Sequence, residues 1–486
     1  MDTLRDVPAR RRLLLAAAVF LLVLYYVVWP VNFYLAQSLR YGLFLLALPM
    51  LLALCFFGFG LGPGMEYRLL VLYWLWLLVS RVLCGDVALQ EEIRVVYDLG
   101  TLLPCVLVGL VLTAEERRRF LAWFCGLAGS FYALVGLVGL VGFMQRKLYP
   151  NPITGAFLGG VWNTGGMRDR ISILDTNVTI AGYWYMMALL MMVYAFFACR
   201  KKLWRLPILL AGLVDFCVLA LTYCRSAMLG TAVALALLAV LLVSRVLRLS
   251  RRSSRALVLT LVFLASMPVF LKSFDLVDRT LGRASMARLE AHPEYQTSPQ
   301  SARLEGGAEM TLLAGRGPAR PVSPAAGDRH RDADGLTGKL EHFSSGRTAI
   351  WASIPYTLQR DPMRLLRGSL SKDVMRYSNE ILWAPQYSYH NYLIQALMFL
   401  GLPGFLLLLG FSLLLVRRTV LLFFSPASRA DLAVKCLCLP VTASLVYGMF
   451  ESVIFTDAES RSLLCALFCG LLLGFSRDVC PPKEKR

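Results

Sequence analysis

Three residues in this chain have the types and settings for chemistry on a phosphorylated substrate: Arg225, Arg347 and His390. Arg347 lies in SGRTAIW (345–351) and Arg225 in the tight segment LTYCRSAMLG (221–230). His390 stands where YSYHNYLIQALMFLGLPG (387–404) turns from polar to apolar. Arginine presents a planar fork of N–H donors that matches phosphate oxygens, and it keeps its charge at any ordinary pH. At the partly desolvated edge of a bilayer that attraction is stronger than in water. Histidine titrates near neutrality and can take a proton from a hydroxyl. Each residue also has a plainer role. Arg225 can snorkel from a helix end, Arg347 can pair on a loop helix, and His390 can anchor an interface beside Tyr387, Tyr389 and Tyr392. The chemical reading requires that the chain bring the three to one place.

The elements that must do so are membrane helices. The chain has 486 residues, is 57% hydrophobic and has a mean hydropathy of +0.61. Soluble domains are about 45–50% apolar. A helix needs about 20 apolar residues to cross a bilayer, and apolar segments of that order recur along the chain. They lie near 13–35, 41–62, 67–85, 95–113, 120–143, 179–199, 204–223, 226–244, 256–273, 391–416, 433–451 and 460–476. The expected fold is all-α: a polytopic helical membrane protein of about twelve transmembrane helices, with one large outer loop between spans 9 and 10. This divides the chain into a membrane region with spans 1–9 (residues 1–273), the outer loop (274–390) and a second membrane region with spans 10–12 and a tail (391–486). Within the loop, 284–340 is a low-complexity run rich in Ala, Gly, Pro, Ser and Arg that buries little apolar surface. From 341 to 390 the pattern changes to apolar residues at helical spacing, with Pro362 closing the first helical stretch.

Net charge is +19. Basic residues cluster in alternate short segments: at Arg10–Arg12, Arg117–Arg119, Arg200–Arg205, Arg245–Arg255, Arg417–Lys435 and from Arg477 onward. That is an orientation signal, not a nucleic-acid footprint. It places both termini in the cytoplasm, and Arg225, Arg347 and His390 all on the outer face. The first apolar segment runs well beyond a signal peptide's core and reads as a retained span. The twelve Cys sit mostly in apolar segments; Cys436/Cys438 and Cys465/Cys469 lack His or acidic companions and read as small buried hydrophobes, so no metal site is expected.

Of the outer segments, 144–178 carries Pro150, Pro152, several Gly and Trp162, then RDRISILDTN (168–177). Asp98 and Asp215 fall within or near apolar spans and are functional candidates for that reason; Arg94, one turn before Asp98, is its natural partner. His292, His330 and His342 lie in or beside the low-complexity run. There is no P-loop, no G-x-G-x-x-G after a strand, no H-E-x-x-H and no G-x-S-x-G. There is also no internal repeat of the kind found in many secondary transporters.

These motifs together resemble the O-antigen ligase and polymerase superfamily, membrane enzymes that transfer glycans from undecaprenyl diphosphate. The resemblance spans roughly residues 165–475. A His-Asn pair opens a helix containing G-x-x-G (HNYLIQALMFLGLPG), and S-G-R followed by an apolar residue and Trp precedes it (SGRTAIW). CRSAMLG is similar to the family's Arg-containing outer helix end, with Cys224 where Ser is commoner. ILDTN is similar to its Asn-containing segment, with Thr176 where Pro is usual. The 284–340 insert lengthens the usual gap between the two arginines. The resemblance implies that Arg225 and Arg347 hold the diphosphate and that His390 serves the acceptor hydroxyl. It also implies inversion at the anomeric carbon in a single displacement, no cofactor or metal, and supporting roles for Asn177, Tyr389 and Asn391. The implied partners are an undecaprenyl-diphosphate-linked glycan, a lipid- or polymer-linked acceptor and the bacterial cytoplasmic membrane, with no nucleic acid.

Other readings compete. A ligase gives the glycan to a different acceptor, whereas a polymerase adds it to another lipid-linked repeat, and the outer-face motifs serve both. A flippase for lipid-linked sugar would use the same arginines without chemistry. A structural or assembly protein would tolerate replacement of His390 and Arg347.

Overall fold

The computed structural model describes residues 9–32, 64–85, 99–145, 149–150, 157–162, 170–173, 178–246, 252–285, 347–370, 373–382, 386–425, 431–452, 455–456 and 460–479, with isolated positions at 52, 92, 95, 96 and 287. The expected span 41–62, the 284–340 run beyond its first residues, Asn177, Asp98 and the histidines at 292, 330 and 342 lie outside the described residues.

The described chain is helical almost throughout. Its long elements are α1 (Ala9–Asn32), α2 (Met65–Leu83), α3 (Leu102–Val111), α4 (Ala114–Gln145), α5 (Val178–Ala198), α6 (Lys202–Thr222), α7 (Arg225–Val246) and α8 (Arg252–Val277). Four short helices follow: α9 (Arg347–Ala352), α10 (Ile354–Arg360), α11 (Arg364–Arg367) and α12 (Ser378–Ile381). Then come α13 (Tyr392–Phe424), α14 (Leu432–Cys436), α15 (Cys438–Gly448) and α16 (Ser460–Val479). Seven of these helices (α4 to α8, α13 and α16) are long and apolar enough to cross a membrane. The chain is therefore a multi-pass helical membrane protein. A small antiparallel sheet, not anticipated from the Pro and Gly content of 144–178, joins β1 (Tyr149–Pro150), β2 (Phe157–Trp162) and β3 (Arg170–Ile173) in that order. Gly159 stands opposite Ile173 and Trp162 opposite Arg170.

Small residues set how closely the helices approach. Where α3 crosses α16, a Cβ on Gly109 would fall 2.0 Å from the carbonyl carbon of Gly470, and one on Gly470 2.3 Å from the carbonyl oxygen of Val106. Without a hydrophobic drive between helices in lipid, such close backbone contact is what holds them. The buried share of the apolar window is 83% in α16 and 6% in α8, so α16 lies at the centre of the bundle and α8 at its edge.

Ion pairs and hydrogen bonds gather the helix ends into two groups. At one end, Arg12 meets Glu116 at 3.3 Å, Arg117 meets Asp478 and Arg118 meets Asp431. Buried Glu66 accepts from Arg418 at 2.6 Å and from Arg477 at 2.8 Å. At the other end, the Ser80 hydroxyl donates to the Arg367 carbonyl at 2.6 Å, Tyr223 bonds Asp278, and Tyr447 bonds the Thr179 carbonyl at 3.1 Å. The first group holds residues that the loop charges assign to one side, and the second holds those assigned to the other.

One helix is broken, and the break shapes the site. Gly401 in α13 has φ +70, and Pro403 follows it. Pro403 has no N–H for the Phe399 carbonyl and its ring crowds that oxygen. Side chains and a neighbouring turn take over the freed carbonyls. Trp76 donates to Leu400 at 2.7 Å, Arg81 to Phe399 at 2.7 Å and the Ser369 hydroxyl to Met398 at 3.0 Å, while the Ser369 N–H reaches Phe399 at 3.2 Å. Arg81 is itself paired with buried Glu92 at 3.0 Å. The turn around Gly368 (φ +80) packs against the break so closely that a Cβ there would lie 2.2 Å from the Phe399 oxygen.

Candidate active site

His390 sits immediately before the cap of α13. The Asn391 carboxamide oxygen accepts from the N–H groups of Leu393 (3.0 Å) and Ile394 (3.1 Å), satisfying donors that a helix start leaves open. Its amide nitrogen donates to the Met449 carbonyl at 3.0 Å, which ties the start of α13 to the end of α15. Both ends of the Asn391 side chain are thus engaged by backbone, and it acts here as a positioning residue. His390 has φ +48, the left-handed region that few side chains adopt and where His is enriched. Residues held there cluster at functional sites.

The residue before it is also fixed. The Tyr389 carbonyl accepts from the Trp351 indole at 2.7 Å, its N–H donates to the Gln395 carboxamide at 3.0 Å, and its hydroxyl pairs with Ser378 at 2.8 Å. Tyr389 is fully buried. The sequence reading offered it as a substrate contact; the structure turns it inward, where it braces His390 against α9 and α12.

Glu451 joins the site. It follows α15, is 4% exposed, and one oxygen accepts from Arg347 at 2.5 Å. The other lies 3.3 Å from His390 Nδ1. One carboxylate thereby holds the guanidinium of α9 and the imidazole before α13. If Nδ1 carries its proton toward Glu451, Nε2 is left as the basic nitrogen, the arrangement by which a carboxylate orients a histidine base. His390 keeps 31% of its side chain exposed, whereas Arg347 keeps 14%. The imidazole is therefore the open member of the trio.

Arg225 opens α7 and is exposed, on the turn where α6 ends at Tyr223 in the left-handed conformation (φ +52). Its neighbour Cys224 lies within electrostatic range of Glu451 and Arg461. Burial pushes the Cys224 thiol up and the Glu451 charge adds to this, while its contact with Ser226 and the Arg461 charge oppose it. Arg461 is buried and donates to the Tyr447 hydroxyl at 2.7 Å. The structure thus brings Arg347 and His390 together through Glu451 and sets the Arg225 turn at the same end of the bundle. Sequence reasoning missed Glu451, which it took as the last residue of a span. The signal was there: an acid at the end of an apolar segment is costly unless it has a partner.

Asp215 is wholly buried in α6, and neither carboxylate oxygen has a hydrogen-bond partner among the described residues. Among the described residues, no three His, Cys, Asp or Glu side chains converge. No protein-family model matches the chain, and no curated protein matches it in sequence.

Proposed function

We propose that the protein is a membrane glycosyltransferase that moves a glycan from undecaprenyl diphosphate to an acceptor hydroxyl on the outer face of a bacterial cytoplasmic membrane, as an O-antigen ligase-like enzyme. The observation that carries this reading is the Glu451 carboxylate linking Arg347 to His390. An oriented imidazole beside an arginine is suited to taking a proton from a hydroxyl next to a leaving phosphate. The resemblance of SGRTAIW, CRSAMLG and HNYLIQALMFLGLPG to that superfamily supports it.

In this reading the acceptor O–H loses its proton to His390 Nε2 as its oxygen bonds the anomeric carbon. The bond from that carbon to the diphosphate oxygen breaks, and the electron pair leaves with the diphosphate. Arg225 and Arg347 stabilise the charge that develops there; removing one such donor typically costs about 10²–10³ in rate. Inversion follows from the single displacement. The same proposal includes about twelve spans, cytoplasmic termini and an outer-facing site, supported by the alternation of basic segments. A polymerase of the same superfamily would use identical groups and differ only in the acceptor.

The test is transfer by purified protein in nanodiscs containing undecaprenyl-diphosphate-linked glycan, with EDTA present. The parent transfers glycan, and Arg347→Ala and His390→Ala do so at least about 10²-fold more slowly, although both remain folded. Product that stays on undecaprenyl carrier identifies a polymerase; product on another acceptor identifies a ligase. Movement of lipid-linked sugar across the bilayer with no transfer would overturn the enzyme reading in favour of a flippase.

A further inference from the structure

A second polar cleft lies near the same end of the bundle, between α11 and α12. Asp361, Arg364, Arg367, Asp373, Arg376 and Tyr377 line it. Three guanidinium groups there face two carboxylates, and the pairings are loose. Arg367 reaches Asp361 at 3.5 Å, Arg364 Nε reaches Asp361 at 3.7 Å, and Arg376 reaches Asp373 at 3.9 Å. Charge-assisted N–H···O bonds normally close to about 2.7–2.9 Å, so these arginines are not saturated by the aspartates. Arg364 is 1% exposed, and its Nε has no hydrogen-bond partner among the described residues. Its other nitrogens are held by the carbonyls of Val374 (3.0 Å) and Asp373 (3.1 Å), which fixes the guanidinium in the wall. The guanidinium carbons of Arg364 and Arg376 lie 5.5 and 5.7 Å from the Tyr377 ring centre. The cleft is rigidly based: the Arg367 carbonyl is bound by Ser80 and the Gly368 turn is wedged on the break in α13.

We propose that this cleft binds a sugar phosphate, with Arg367 and Arg376 taking the phosphate and the aspartates accepting from sugar hydroxyls. A site of arginines alone would suit a bare anion, whereas the mixture of forked donors and carboxylate acceptors suits a ligand that carries both an anion and hydroxyls. The cleft is connected to His390. Tyr377 is followed by Ser378, whose hydroxyl meets the Tyr389 hydroxyl at 2.8 Å, and Tyr389 precedes His390. Resting on the transferase reading above, the ligand is the phosphorylated part of the acceptor.

Binding is measured by calorimetry on the full chain in zwitterionic-lipid nanodiscs, titrating a hexose 6-phosphate and, separately, the neutral hexose. The phosphate binds at least tenfold more tightly than the neutral sugar. The pair Arg367→Gln and Arg376→Gln, at exposed or half-buried side chains, weakens it at least tenfold without changing the melting temperature. Arg347→Gln leaves it unchanged. The proposal is overturned if the phosphate adds nothing to affinity, if the double variant binds like the parent, or if Arg347→Gln abolishes binding. Repeating the titration with anionic phospholipid in the disc separates two sources of the same chemistry: competition points to a phosphorylated lipid headgroup, and no competition to a phosphorylated glycan. Binding requires no turnover. A protein that binds but transfers nothing keeps this site and loses the reaction, and one that transfers without binding loses only this site.

Discussion

At the scale of single residues, the site depends on one carboxylate with two partners. Glu451 neutralises Arg347 in a nearly closed environment and aligns His390. Replacing Glu451 with Gln keeps the shape and removes the charge. Arg347 then lacks its counter-ion and His390 loses the acceptor that fixes its tautomer. Transfer is expected to fall by about 10² or more, in the range general-base catalysis contributes. Breaking the buried pair by removing one partner costs about 3–5 kcal/mol, a loss that thermal unfolding in detergent reads in Glu451→Gln and Glu451→Ala against the parent. Arg347, His390 and Arg225 stand out in the sequence because each lies beside a motif at a hydrophobic boundary, and the structure joins the first two through Glu451. Glu451 does not stand out, because its role exists only once α15 ends against the start of α13, some 60 residues along the chain. Tyr389 and Asn391 were read as substrate contacts from their position next to His390, yet adjacency in sequence does not fix which way a side chain turns.

At the scale of elements, the break in α13 decides where His390 stands. The first half of α13 is set by its Asn391 cap and by the groups that catch the carbonyls at Met398–Leu400. Asn391→Ala is expected to lose about 0.5–2 kcal/mol as a cap. Gly401→Ala costs about 1–3 kcal/mol for a backbone conformation (φ +70, ψ −174) that is essentially confined to glycine, and the added Cβ would lie 2.6 Å from the Leu366 oxygen, which raises the loss further. Arg81 supports the same break while paired with Glu92. Arg81→Met breaks the ion pair of a buried carboxylate and is expected to destabilise by about 3–5 kcal/mol, whereas adding Glu92→Met restores part of that loss. Melting temperatures of the single and double variants check this. The G-x-x-G spelling was visible in the sequence, but the Arg81 that answers it lies more than 300 residues earlier and no local pattern links them.

At the scale of the whole molecule, ion pairs gather one set of helix ends, through Arg12, Glu66, Arg117, Arg118, Arg418 and Arg477, from segments that the alternation of basic residues groups together. This much was legible because hydropathy and charge are properties of composition, independent of which helices touch. The pairing of α3 with α16 through Gly109 and Gly470 was not, since Gly in an apolar run fits many neighbours. Side assignment predicts labelling. In a variant whose exposed native thiols are replaced, Tyr387→Cys, 84% exposed in the parent, reacts with a membrane-impermeant maleimide on intact cells. Arg119→Cys, at the Arg12–Glu116 end, reacts only after permeabilisation. The reverse pattern would place the His390 centre in the cytoplasm.

The central claim is that Glu451, Arg347 and His390 work as one centre for glycan transfer. A double-mutant cycle on the transfer rate tests it most directly, using the parent, Glu451→Gln, His390→Ala and the combination. Groups that act as a unit are strongly non-additive. The double variant is therefore expected to be no slower than His390→Ala alone, within about threefold, with Glu451→Gln already impaired by about 10² or more. Losses that simply multiply in the double variant, or a Glu451→Gln that transfers like the parent, would contradict the account.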